Sequence, residues 1–198
     1  MTSAIHDDPP LDACTLVLAA AFAEEPTVVR LCGKAASRRT AWFDALLRTH
    51  ATLPGRRLLL TRDGRAVGVA IATAAGARPR PADQARWTLR TLRGCGPRTL
   101  FGTLAYLRRT EAWKPVDAWT LEFVGVLPEA RGQGFARELY ERAQEDHREA
   151  PAYLTTADPQ NVELYQRWGF RAYVRITFRG LNVVGLTCPS LLQKEMHS

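Results

Sequence analysis

A chain of 198 residues, 46% of them hydrophobic and 24% charged, is long enough for one well-buried domain and short for two. That balance excludes a disordered chain, and no apolar run reaches the roughly 18 residues that span a bilayer, so a single domain over 1–198 without membrane association is expected. The net charge of +7 rests on scattered arginines, with Lys34, Lys114 and Lys194 the only lysines, which argues against a nucleic-acid face.

The opening "MTSAIHDDPP" lacks a basic n-region and an apolar h-region, so a cytoplasmic protein is expected; it is also a poor strand. "LDACTLVLAAAF", from Leu11 towards Ala23, reads as a helix with Asp12 available as its cap and "EEP" closing it at Pro26. Trp42, Leu46, Leu47 and His50 recur at helical spacing, predicting a second helix over Ser37 to Leu53, ended by Pro54-Gly55. "RRLLLTRDGRAVGVAIATAA" is two β-rich runs around Asp63-Gly64, a hairpin. Pro81 to Trp113 reads as two helices broken at Gly94-Cys95-Gly96-Pro97, and "AWTLEFVGV", Ala118 to Val126, as a strand stopped by Pro128.

From Gln133 to Glu149, Phe135, Ala136, Leu139, Tyr140 and Ala143 fall on one face of an amphipathic helix. "AYLTT", Ala152 to Thr156, is a short strand. Asp158-Pro159 then starts a helix that Gly169 stops, and Phe170 to Phe178 and Asn182 to Cys188 are strands. The order predicts a mixed α/β sheet domain. Cys14, Cys32, Cys95 and Cys188 stand far apart with no histidines at ligand spacing, so buried reduced thiols and no metal are expected. Nothing in the composition calls for assembly beyond a monomer or homodimer.

The segment "GVLPEARGQGFA", Gly125 to Ala136, joins the apolar strand to a helix start through two glycines. A helix N-terminus exposes unpaired amides and the positive end of the helix dipole, which suits phosphate. Gly132 and Gly134 let a bulky anion approach those amides, and Arg131 supplies a charged fork beside them. The Gly-Lys-Ser/Thr of a P-loop and the full dinucleotide fingerprint are both lacking.

Arg131-Gly132-Gln133-Gly134-Phe135-Ala136 resembles the pyrophosphate loop of the Gcn5-related N-acetyltransferase (GNAT) superfamily. "NVELYQRWGF", Asn161 to Phe170, is similar to the second hallmark of that superfamily, with Asn161 and Tyr165 four residues apart on one helix face. Both occur in family order, and the resemblance covers about Ala118 to Cys188. It is strongest to the branch that includes puromycin N-acetyltransferase and related antibiotic-modifying enzymes.

The resemblance implies a central mixed, mostly antiparallel, splayed sheet flanked by helices. Members usually begin with a strand, which "MTSAIHDDPP" leaves short or missing. It also implies direct acetyl transfer from acetyl-CoA, or another acyl-CoA, to an amine. Val124, Gly125 and Val126 would bond the pantetheine arm, and their amides would polarise the thioester carbonyl; Asn161 and Tyr165 would address the same ligand.

An alkyl ammonium near pKa 10.4 is neutral only about once in 10³ to 10⁴ molecules at pH 7, so the chemistry needs a proton acceptor. Glu122 is the candidate. A period of two places it on the face of Thr120, Val124 and Val126, and some members carry the base here while others carry it at the position of Thr120. Tyr165 matches the tyrosine that faces the coenzyme A sulfur. A phenol near pKa 10 against a thiol near 8.5 makes full transfer unfavourable by roughly 2 kcal/mol, which leaves a hydrogen bond and complete transfer both open.

Trp42, Phe43, Trp113, Asp117 and Trp119 are candidates for the acceptor wall or the core. His50 and His147 read as structural or solvated, with His6 and His197 near the termini. The expected acceptor is a small-molecule amine; the alternatives are a peptide or protein amine, including a ribosomal one, and a non-catalytic acyl-CoA-binding module.

Overall fold

The first strand is present. In the computed structural model, which describes residues 2–190, β1 (Ser3–Asp7) pairs antiparallel with β2 (Gly55–Arg62). Four of its five residues are exposed, so no apolar alternation marks it. β2 turns into β3 (Arg65–Thr73) through Asp63 at φ 48° and Gly64 at φ 78°, the paired positive φ of a two-residue hairpin turn.

α1 (Leu11–Ala21) begins after Pro10 without a side-chain cap, and Asp12 sits in its first turn instead, 3.7 Å from Arg48. Pro26 opens a helix where the sequence suggested an end. It starts α2 (Pro26–Cys32), and Glu25 caps that helix by accepting from the Val28 amide at 2.7 Å. α3 (Ala36–His50) ends before the expected Leu53, and α4 (Pro81–Cys95) and α5 (Pro97–Glu111) break at Gly96 as the sequence indicates.

The second half runs β4 (Trp119–Val126), α6 (Phe135–Gln144), β5 (Ala152–Thr156), α7 (Pro159–Arg167), β6 (Arg171–Phe178) and β7 (Leu181–Cys188). α6 is shorter than Gln133 to Glu149 because its last turn tightens into a 3₁₀ turn at Glu145–His147.

The strands form one sheet in the order β1-β2-β3-β4-β5-β7-β6, antiparallel throughout except for β4 against β5. Alternation splits the core between its faces. Leu59, Val69 and Ile71 point to a cluster with Leu18, Phe43, Leu47 and Trp87 from α1, α3 and α4. Leu58, Leu60 and Ala70 point the other way, to Leu139 and Tyr140 of α6 and Tyr165 of α7. Each fully buried Leu in these layers contributes about 1.5–3 kcal/mol by leaving water. All four cysteines are buried and free.

Candidate active site

The centre of the sheet is split. β4 and β5 pair only at Trp119 with Ala152 and Thr120 with Tyr153, after which the strands part. Leu127 N donates to Val67 O at 2.8 Å, so alternation along β4 turns the amides of Val124 and Val126 away from β3, towards the opening. Unpaired strand amides of this kind are free to bond an extended ligand.

Beside the split, β4 carries a bulge. Its register on β3 shifts between the pairs Ile71–Phe123 and Ala72–Leu121, which leaves Glu122 as the extra residue. The shift overturns the simple period of two. Val124 and Val126 pack into the α6 cluster, whereas Phe123 packs against Phe22, Trp42 and Phe43 on the opposite face. Glu122 lines the pocket with Thr120 and Val124, whereas Val126, which it was also expected to join, does not.

The loop after β4 is shaped by its glycines. Gly132 stands at φ 76° and Gly134, the N-cap of α6, at φ 84°; a Cβ on either would meet nothing within 4 Å. Among the described residues, the amides from Gly132 to Ala136 donate to no backbone carbonyl, while Arg137 and Glu138 already bond to Gly134 O. The result is an open cradle of donors at a helix N-terminus, a shape that fits a pyrophosphate.

Arg131 departs from the expected fork. Its guanidinium donates to Val126 O at 3.3 Å and Ala21 O at 2.9 Å, so it ties the end of α1 to β4. Gln133 accepts from Arg62. Gly125 serves packing as well, because a Cβ there would lie 2.8 Å from Phe22 Cε2 and 3.0 Å from Ala21 Cβ.

α7 starts at Asp158, whose carboxylate accepts from Gln160 N at 2.9 Å. That cap fixes Asn161 and Tyr165 on the turns facing the split, and both line the pocket. Tyr165 is 9% exposed and packs against Trp168 and Phe170 at centroid distances of 5.2 and 5.8 Å. Burial raises its pKa, and the charges of Glu25 and Asp158 add to the effect.

The pocket reaches from this junction to α2, α3 and α5, and brings in residues the sequence did not single out. Glu25 enters from the α2 cap, and burial raises its pKa although the Val28 amide opposes the shift. Glu111 stands at the end of α5, exposed to solvent on one side; desolvation on its pocket side raises its pKa, with Lys114 opposing and Glu122 adding. Tyr106 bonds Thr155 Oγ1 at 3.0 Å and is pushed up to about 12 by burial.

His50, read from the sequence as structural or solvated, lines the same pocket. Its Nδ1 lies 3.3 Å from Thr73 Oγ1, and burial lowers its pKa against the pull of Glu122. Trp42 lines the pocket too, whereas Phe43 and Trp119 are fully buried and Trp113 and Asp117 are exposed. His197 lies outside the described residues.

The family model of the acetyltransferase (GNAT) family matches residues 30–170, which include the loop, the bulge and the α7 residues. The chain belongs to the GNAT acetyltransferase family. Members of this family use acetyl-CoA as co-substrate. No curated protein matches the chain in sequence.

Solved structures that share this GNAT fold include a Corynebacterium glutamicum protein described as histone acetyltransferase HPA2 and related acetyltransferase. It is 21% identical with a TM-score of 0.71, covering 96% of this chain and 97% of that one. An N-acetyltransferase from Staphylococcus aureus is 17% identical with a TM-score of 0.56, covering 96% and 99%. The ribosomal-protein-S18-alanine N-acetyltransferase from Escherichia coli is 15% identical with a TM-score of 0.54, covering 95% and 94%. At these identities the likeness establishes the fold of this GNAT protein.

Proposed function

We propose that the protein transfers an acetyl group from acetyl-CoA, within a ternary complex, to a primary amine of a small molecule, a class that includes antibiotic and natural-product amines. The observation that carries this reading is the convergence of Glu122 and Tyr165 on one pocket at the mouth of the β4–β5 split. The pocket is walled by α2, α3 and α5, which supports a small molecule over a peptide or protein amine, whose chain needs an open groove. A non-catalytic acyl-CoA-binding module would leave both residues without a role.

In this reading the amides of Gly132 to Ala136 hold the pyrophosphate, and Val124 and Val126 hold the pantetheine arm. Arg131 acts by holding β4 to α1. Acetyl-CoA supplies the activated acetyl group. Glu122 takes the proton of the acceptor ammonium, directly or through water, a role worth about 10²–10⁴ in rate. Tyr165 keeps its proton. Burial raises its pKa further above that of a thiol, so it serves as a hydrogen-bond donor at the position of the sulfur, and complete transfer becomes the less favourable of the two roles. A cytoplasmic setting fits the four free buried cysteines and the supply of this co-substrate.

A thiol-release assay across amines and peptides tests the reading. Small primary amines should turn over and peptides should not, and Glu122→Gln should lose about 10²–10³ in kcat/KM at neutral pH with partial recovery at alkaline pH. Full activity of that variant across neutral pH would remove Glu122 as the base.

A further inference from the structure

Three carboxylates, Glu25, Glu111 and Glu122, line one pocket of a chain whose net charge is +7. Among the described residues none of the three forms an ion pair. The charges of Glu25 and Glu122 both reach Tyr106, and that of Glu122 reaches Glu111, each adding to a shift that burial dominates. Glu25 from the α2 cap, Glu111 from the end of α5 and Glu122 from the β4 bulge thus enter one pocket from three different elements, with Tyr106 on the same wall.

A second observation points to a ligand. Thr120 is 6% exposed and lines the pocket, yet its Oγ1 has no hydrogen-bond partner. A buried hydroxyl left unpaired costs about 1–3 kcal/mol, a cost removed when a bound group supplies the missing bond. On the same pocket wall, Phe22, Trp42 and Phe123 form an apolar cluster, with Phe22 and Trp42 at 5.9 and 6.3 Å from Phe123 between centroids. Such a wall suits hydrocarbon and, at its ends, cations over aromatic faces.

Resting on the acetyltransferase reading above, we propose that the acceptor is a dication: a small di- or polyamine with one protonated nitrogen at Glu122 and a second at Glu25, joined by an apolar stretch along Tyr106. The nitrogen at Glu122 is the one that loses its proton and is acetylated; the nitrogen at Glu25 stays charged and sets the register. A monoamine leaves one half-buried carboxylate of the pocket without a counter-ion, and a neutral amine leaves both. Burial raises the pKa of Glu25, which marks the same cost there.

Calorimetry on the full chain, with and without coenzyme A, decides the matter using putrescine, spermidine and butylamine as probes. Putrescine and spermidine should bind at least about tenfold more tightly than butylamine, a gain of about 1.4 kcal/mol, and the preference should shrink as salt is raised. Glu25→Gln keeps an oxygen for the Val28 amide and removes only the charge. It should bring the putrescine-to-butylamine ratio to about one while coenzyme A binding is unchanged. Should that variant unfold on heating below the assay temperature, the salt series on the unmodified chain carries the test alone. Equal affinity for putrescine and butylamine at low salt, in protein that binds coenzyme A, overturns the dication and leaves the acetyltransferase reading standing. A dication preference in protein that fails to bind coenzyme A does the reverse.

Discussion

The two halves of the site are built from different materials. The half towards α6 is backbone: amides of the split strand and of the loop at Gly132 and Gly134, held in place by glycine φ values and by one arginine that bonds carbonyls. The half towards α2, α3 and α5 is side chain: carboxylates, hydroxyls, an imidazole and aromatic rings drawn from segments far apart in the chain. A backbone site recognises what every member of a family shares and tolerates change at most side chains. A side-chain site distinguishes one acceptor from another and can be rewritten residue by residue.

The sharpest way to break this contrast is to put a side chain where the backbone half needs none. Gly134→Trp places bulk in the space above the loop and strains a φ of 84°. Coenzyme A affinity measured by calorimetry should fall by at least about 100-fold, or about 2.7 kcal/mol. Gly134→Asn, which tolerates left-handed φ, should lose far less. Undiminished binding in the tryptophan variant would remove the loop from the site.

The same contrast decides what could be read from the sequence. The hairpin at Asp63-Gly64, the helix start at Asp158-Pro159 and the glycine loop are local signals, in which neighbouring residues carry the backbone geometry that defines them. Most of the strands and the shape of the glycine loop were legible for that reason, whereas Arg131, expected to face an anion, bonds two backbone carbonyls instead. α2 was missed because Pro26 follows Glu25 in a pattern that serves equally as a helix end and as a cap with proline in the first turn. The bulge at Glu122 has no marker in "TLEFVGV", so a strict period of two does not give the face of that residue relative to Val126. Glu25, Tyr106 and His50 come together only through tertiary packing, and no spacing announces them.

A smaller effect tests how far the backbone half leans on packing. Gly125 has no positive φ, yet its Cα faces α1 at a distance that leaves no room for a methyl group, with Phe22, Ala21 and Leu18 nearest. Gly125→Ala should destabilise the fold by about 1–3 kcal/mol, read as a lower midpoint in denaturant at unchanged slope. Coenzyme A binding to the folded fraction should change little, because the added methyl points towards α1 and away from the split. If affinity falls as steeply as in Gly134→Trp, Gly125 belongs to the ligand surface and the division between the halves is wrong at that strand.

The smallest effect probes the side-chain half. Burial lowers the pKa of His50 below the value near 6.5 of an unfolded chain, against the pull of Glu122. The unfolded state then binds more protons below that value. The stability contributed by the neutral ring is present above about pH 6.5 and is lost as pH falls through the folded pKa. His147, also lowered by burial, adds the same slope, while Glu25 and Glu111, raised by burial, contribute stability at low pH that is lost as pH rises through their folded pKa. These opposed terms blur a single profile, but a difference between two proteins isolates one group. Chemical unfolding of the unmodified chain and of His50→Gln from about pH 7 down to about pH 5 should show the unmodified chain losing more stability. Parallel profiles would mean that the imidazole beside Glu122 titrates as it does in water, and the acceptor wall would then carry a positive charge on acidification that weakens its hold on any cationic amine.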